Sequence, residues 1–387
     1  MSMLVVGAGL AGNAAVEELR AQGYDGHVVL IGAEQHLPYD RPPLSKDVLL
    51  GDKDVAATGL HDAGWYAERD IDVRTGTEVS RVDPVRRVVV TPSGELGFEK
   101  LLLATGSEPR RLPVEGAPAA YLRTRDDSAA LRAALLEQPR LTIVGGGWIG
   151  LEVAAAARHA GCAVTLVEPQ ARPLLGVLGK RMGSAFADLH REHGVDLRLG
   201  TTFEGASPVP ADLVLVAVGA APRLGLAESA GLDVDGGVLV DATLRTSHPD
   251  VYAAGDIAAH DHPTLGRLRV EHWDNAIEQG RAAARNMLGA DTPYERSPYF
   301  FTDQYDLGVE YVGRVPREHL DRVVVRGDLA GRRAVVLWHD AGRVLGGMHL
   351  NEWDSTDHLR ALVGRTVDVA RLEDTGVDIA DLAASLS

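Results

Sequence analysis

Residues 4–12 read Leu4-Val5-Val6-Gly7-Ala8-Gly9-Leu10-Ala11-Gly12, and an alanine-rich stretch follows to about Gln22. Three apolar strand formers run into glycines at the first, third and sixth positions of a turn, and a helical segment leaves it. Each glycine has a mechanical purpose. The first makes the tight turn, the second lets backbone approach a pyrophosphate, and the third packs helix against strand. The anion then rests on the helix N-terminus, where unpaired N–H groups and the peptide dipoles attract negative charge. A second strand is expected over 27–31, and Glu34 lies just beyond it, placed to accept hydrogen bonds from a ribose.

One such motif is weak evidence, but here the whole order recurs. A strand over 141–144 leads into Gly145-Gly146-Gly147-Trp148-Ile149-Gly150, then a helix over 151–160 and a strand over 162–167 that ends at Glu168. The closing segments repeat as well: Leu103-Ala104-Thr105-Gly106-Ser107-Glu108-Pro109-Arg110 in the first copy and Val218-Gly219-Ala220-Ala221-Pro222-Arg223 in the second. Two copies of one architecture mean two dinucleotide-binding domains. A carboxylate at Glu168 repels a 2′-phosphate and favours NADH over NADPH, an effect that Arg172 partly offsets. The plainer alternative for Glu168 is a solvated strand-end carboxylate.

Two dinucleotide sites on one chain imply a resident cofactor and a visiting one, and a flavin with a nicotinamide is the natural pair. Hydride passing between them needs no protein acid or base. It needs two rings held face to face in a dry site.

The chain then returns to the first domain. An apolar strand ends at Tyr252-Ala253-Ala254-Gly255-Asp256, and a helix is expected over 274–287. Past Tyr305 come alternating strands over 308–312, 322–326, 334–338 and 344–349, with helical segments at the end. The expected fold class is α/β: two doubly wound domains, at 1–108 with 233–304 and at 109–232, plus an α+β C-terminal domain at 305–387.

Composition narrows the partners. The 387 residues are 45% hydrophobic and carry a net charge of −16, which disfavours nucleic acid. Cys162 is the single cysteine, so no disulfide framework, Cys-rich zinc module or dithiol pair is expected, and no other metal site is read. The apolar run at 213–221 is too short to span a membrane, and Arg20 is the first basic residue, so no charged leader is read and a cytoplasmic location is expected.

Three further stretches carry a resemblance: Pro38-Tyr39-Asp40-Arg41-Pro42-Pro43-Leu44-Ser45-Lys46, Tyr252-Ala253-Ala254-Gly255-Asp256 and Asp303-Gln304-Tyr305. With the two glycine turns, the chain resembles along its whole length the FAD-dependent, NADH-oxidising ferredoxin reductases of bacterial oxygenase systems, which are putidaredoxin reductase-like and share the glutathione reductase fold. The resemblance implies that Gly7, Gly9, Leu10, Ala11 and Gly12 hold the FAD pyrophosphate and Glu34 its ribose. It adds Arg41, Val79 (a backbone contact to adenine), Ala104, Thr105, Gly106, Arg123, Asp256 and Trp273 to the FAD set. Lys46 would sit by the flavin ring as a stabilising cation. For NADH it implies Gly145, Gly147, Trp148, Ile149, Gly150, Glu168 and Gly219. Trp148 would cover the flavin, and Glu152 would approach the nicotinamide carboxamide. Read from the residues alone, Trp148 also serves helix–sheet packing, Trp273 is a core tryptophan, Glu152 a surface helix carboxylate and Lys46 an exposed loop lysine.

Members of that superfamily that relay electrons through sulfur carry a thiol in the loop after the second strand. Here it reads Pro42-Pro43-Leu44-Ser45-Lys46, and Cys162 is expected to be a small buried hydrophobe. Electrons must leave the flavin directly, and a transiently docked [2Fe–2S] ferredoxin that supplies an oxygenase such as a cytochrome P450 is the natural acceptor. Alternatives are a rubredoxin, a flavin-coupled oxygenase component, or a redox-responsive signalling role. The sequence departs from many relatives in reading Tyr299-Phe300-Phe301 where they carry Trp-Phe-Trp. Docking of an acidic ferredoxin asks for local basic charge, for which Arg41, Arg314 and Arg317 are candidates.

Overall fold

The computed structural model describes residues 2–385. They form two compact units. The first comprises residues up to Arg41, Ala56–Glu108 and Ala220–Arg296, and the second Pro42–Val55, Pro109–Gly219 and the chain from Ser297 onward.

In the first unit five parallel strands lie in the order Val251–Ala253, Lys100–Leu103, Ser2–Val6, His27–Ile31 and Ile71–Arg74. Leu4, Val5, Val28, Leu30, Leu101, Leu102 and Leu103 are almost wholly excluded from water. That is why these strands read as unbroken apolar runs: a parallel sheet is covered on both faces. The helix Leu10–Ala21 buries Ala11, Ala14 and Ala15 and ends where Gly23 takes a φ of 78°. Small side chains let it lie close to the helix Trp273–Met287, where a Cβ on Gly280 would overlap the Ala11 carbonyl.

The second unit repeats the plan. Its parallel sheet runs Asp196–Leu199, Ala163–Glu168, Arg140–Val144, Leu213–Val216 and Ala119–Ala120, with the glycine turn after the central strand as in the first unit. The turn therefore sits where strand order reverses, the place at which doubly wound sheets bind ligands. The same unit holds an antiparallel sheet ordered Tyr299–Gln304, Leu307–Gly313, Arg343–Leu350, Arg333–Asp340 and Val323–Asp328. Trp338 is fully buried there and donates its indole N–H to the Leu320 carbonyl at 3.1 Å.

Three segments group differently from the expected bounds. Residues 299–304, expected at the end of the first domain, form an edge strand that pairs with Leu307–Gly313 in the antiparallel sheet. Residues 220–232 group with the first unit, where Ala227 and Leu232 join its core. Pro42–Val55 groups with the second, where Leu49 is fully buried against the core beneath the second parallel sheet. Among the described residues no helix is long and apolar enough to cross a membrane.

Candidate functional site

In the first unit Gly7 takes a φ of 117°, and a Cβ there would overlap the Ala104 carbonyl. A Cβ on Gly12 would overlap the Gly7 carbonyl, so the helix start is pinned against the turn. Gly9 is the N-cap of Leu10–Ala21, without a capping side chain and without an acidic residue in the first turn, and its Cβ position meets only Arg41 Nη2, 4.0 Å away. The chain thus leaves helix N–H groups uncapped behind a glycine-lined approach. This fits a pyrophosphate.

Glu34 stands beyond the second strand as expected, with Oε1 accepting from Arg41 Nη2 at 3.0 Å and Oε2 from the Tyr39 hydroxyl at 2.5 Å. Arg41 also lies over the Tyr39 ring. Neighbouring Tyr39 and Glu34 favour its charged form, which burial opposes. Arg41 is thereby held against Glu34 within this unit, with its side chain 23% exposed. Val79 is buried in the core, and Ala104, Thr105 and Gly106 follow the strand Lys100–Leu103. Asp256 is nearly buried and accepts from the Ser107 hydroxyl at 2.8 Å, while Arg269 donates to its carbonyl at 2.9 Å. Trp273 opens the helix Trp273–Met287 and donates Nε1–H to Asp40 at 2.7 Å, so its ring is fixed by a named partner.

The second unit shows the same construction. Gly145 has a φ of 110° with its Cβ position on the Ala217 carbonyl, and a Cβ on Gly150 would overlap the Gly145 carbonyl. Gly147 caps Trp148–His159 without a side-chain bond, and a Cβ there would meet nothing within 4 Å. The space beside it suits a second pyrophosphate. Gly219, with a φ of 94°, likewise faces open space, and Ile149 is 42% exposed. Glu168 is buried, not solvated: Oε2 accepts from Gly146 N–H at 2.7 Å and Oε1 from Gln170 N–H at 2.9 Å. Arg172 donates Nε–H to the Ser184 hydroxyl at 2.7 Å. Arg123 precedes the helix Arg125–Leu136, and its backbone N–H donates to Asp127 at 3.1 Å.

Glu152 is not a surface carboxylate either. It is 4% exposed, with Oε1 accepting from Lys46 Nζ at 2.9 Å and from the Thr302 hydroxyl at 2.7 Å, and Oε2 accepting from the Ser45 hydroxyl at 2.5 Å. Lys46, Glu152, Ser45 and Thr302 thus form one buried polar cluster, and Lys46 Nζ also lies 5.3 Å from the centre of the Phe301 ring. Trp148 packs on Phe186 and Phe300, with ring centres 5.7 Å and 4.6 Å away. Burial raises the thiol pKa of Cys162, which donates weakly to the Leu135 carbonyl.

Ser45, Ser107, Asp40, Thr302 and His190 carry no role in the sequence motifs. Ser45 stood inside a quoted motif beside Lys46, which was a usable signal. Nothing in the local sequence marks His190, 38 residues beyond Glu152 in number.

The chain is similar to known proteins along nearly its whole length. A family model described as pyridine nucleotide-disulphide oxidoreductase matches residues 1–280, and one described as reductase C-terminal matches 299–383. The ferredoxin–NAD(+) reductase component of the anthranilate 1,2-dioxygenase system of Burkholderia cepacia is 39% identical, over 97% of this chain and 98% of its own length. Putidaredoxin reductase of Pseudomonas putida is 36% identical, over 89% of this chain and 87% of its own. Among solved structures, the covalent putidaredoxin reductase–putidaredoxin complex matches with a TM-score of 0.93 at 35% identity, over 100% of this chain and 98% of that one.

Proposed function

Because this chain belongs to the pyridine nucleotide-disulphide oxidoreductases and carries the reductase C-terminal domain, we propose that it is the ferredoxin–NAD(+) reductase of an oxygenase system. It is a flavoprotein oxidoreductase that uses FAD and a nicotinamide nucleotide. When bound, FAD takes the electron pair of a hydride and releases electrons one at a time, which suits an iron–sulfur carrier.

The observation that carries the reading is the absence of a sulfur relay. The sequence has one cysteine, and that residue is fully buried with a raised thiol pKa, so no thiolate is available to pass electrons on. The segment that bears thiols in sulfur-relaying relatives instead puts Ser45 and Lys46 on Glu152.

In this reading residues 1–41, 56–108 and 220–296 hold FAD, residues 109–219 hold the nicotinamide nucleotide, and residues from 297 onward form the third domain. Gly7, Gly9, Leu10, Ala11 and Gly12 receive the FAD pyrophosphate, and Glu34, Arg41, Val79, Ala104, Thr105, Gly106, Arg123, Asp256 and Trp273 complete its contacts. Gly145, Gly147, Trp148, Ile149, Gly150, Glu168 and Gly219 receive the nucleotide. Lys46 and Glu152 serve the reacting rings, Lys46 as a fixed cation and Glu152 by holding it and by orienting the nicotinamide carboxamide. The nucleotide is NADH: the buried Glu168 carboxylate, fastened to the Gly146 and Gln170 amides, opposes a 2′-phosphate. The acceptor is a [2Fe–2S] ferredoxin and the location cytoplasmic.

Anaerobic stopped-flow spectroscopy tests this. NADH should bleach the flavin band, and a panel of [2Fe–2S] ferredoxins should restore it within turnover time. A long-lived reduced state that no ferredoxin reoxidises would favour a signalling role.

A further inference from the structure

Glu152 ends a chain of hydrogen bonds whose direction follows from donor and acceptor chemistry alone. An ionised carboxylate paired with Lys46 at 2.9 Å can only accept, so the one proton of the Thr302 hydroxyl must point to Glu152 Oε1, 2.7 Å away. The Thr302 lone pair then accepts from Gln304 Nε2 at 3.1 Å. This fixes the amide, and Gln304 Oε1 faces His190 Nε2 at 2.9 Å. The imidazole must therefore carry its proton on Nε2, which leaves Nδ1 to accept from the Tyr305 hydroxyl 3.3 Å away. Tyr305 closes the chain by stacking on His193, with ring centres 3.6 Å apart.

Glu152, Thr302, Gln304 and His190 are each 4% exposed or less. Burial keeps His190 neutral, with its pKa lowered to about 4. The chain starts on the helix Trp148–His159, crosses the strand Tyr299–Gln304 and reaches the helix Leu175–Glu192. Each bond fixes the direction of the next, so the hydrogen bonds of the chain reinforce one another.

We propose that Gln304 and His190 are positioning residues for hydride transfer: through Thr302 they hold the Glu152 carboxylate, and with it the Lys46 ammonium, in the one arrangement the reaction uses. This rests on the reading that Lys46 and Glu152 serve the reacting rings. The bland alternative is a buried polar clamp that only joins the antiparallel sheet to the nucleotide domain.

The first test is the tautomer itself. In FAD-loaded protein labelled with 15N-histidine, long-range proton–nitrogen correlations, assigned with His190→Gln, should show His190 neutral with its proton on Nε2. A proton on Nδ1, or a charged ring at neutral pH, overturns the proposal. The second test is kinetic. His190→Leu should slow the limiting rate of flavin reduction by about five- to tenfold with the NADH dissociation constant unchanged. His190→Gln, which restores an N–H at the place of Nε2, should recover it to within about twofold. If Lys46→Met slows reduction and His190→Leu does not, the positioning role is wrong while the reading of the pair survives. If Lys46→Met has no effect, both fall. Should His190→Leu not fold, Gln304→Met, which breaks the same chain behind Thr302, is read for the same limiting rate: a slowed rate supports the positioning role and a wild-type rate overturns it.

Discussion

Lys46 Nζ lies 2.9 Å from Glu152 Oε1, and the two side chains are only 11% and 4% exposed. A buried ion pair is weak evidence for stability, because desolvation of both ions offsets their attraction. Its cost appears when one partner is removed and the other is left alone.

Lys46→Met should therefore destabilise the protein by about 3 kcal/mol, with Ser45 and Thr302 left to satisfy the stranded carboxylate. The double variant Lys46→Met/Glu152→Gln should recover more than half of that loss. Denaturant unfolding of the two single variants and the double variant measures the coupling; simple additivity would show that the pair is not energetically linked.

The glycines divide by what faces them. A Cβ at Gly147 meets nothing within 4 Å, so Gly147→Ala should keep its melting temperature and FAD content while weakening nicotinamide nucleotide binding about tenfold or more. Gly12→Ala, which collides with the Gly7 carbonyl, should lose FAD or fail to fold. Flavin content by absorbance and nucleotide titration by fluorescence separate these outcomes.

At Glu168 the proposed NADH preference is tied to the loop geometry, since the carboxylate accepts from two backbone amides. Glu168→Gln keeps acceptor capacity but removes the charge, and should move the NADH/NADPH ratio of kcat/KM toward NADPH by about tenfold. An unchanged ratio would place discrimination elsewhere.

Acid sensitivity follows from His190, whose pKa falls from 6.5 to about 4 on folding. Between those values the unfolded chain binds a proton that the folded chain does not, so stability is lost as pH falls through the window. The contribution is about 3 kcal/mol, and His190→Gln should remove it. His260, buried with its pKa also lowered to about 4, should keep part of the acid limb in the variant. Melting temperatures from pH 7 to pH 4 for both proteins check this.

Arg314 and Arg317 are exposed in the second unit and remain docking candidates. Arg314→Glu/Arg317→Glu should lower ferredoxin-dependent turnover about fivefold or more and flatten its salt dependence, with ferricyanide reduction spared. Equal loss with both acceptors would point to damage at the flavin.

The two glycine turns and both parallel sheets were legible because each glycine answers a local steric demand and each buried strand is continuously apolar. Glu168 and Glu152 were found by position, but their burial was not. Their burial depends on partners distant in sequence, the Gly146 amide for Glu168 and the Ser45 and Thr302 hydroxyls for Glu152, brought in by packing. Tyr299–Gln304 was missed as a strand because Tyr299-Phe300-Phe301 lacks alternation, although Thr302 and Gln304 both turn inward. His190 had no local signal, since it meets Gln304 across 114 residues of sequence.

The central claim is that electrons pass from nicotinamide nucleotide through FAD to a ferredoxin with no sulfur between. Single-turnover stopped flow on Cys162→Ala, with NADH and then a [2Fe–2S] ferredoxin, tests it most directly. Flavin reduction and reoxidation should both proceed at wild-type rates. Reoxidation by ferredoxin that disappears in a folded, FAD-loaded Cys162→Ala protein would contradict it.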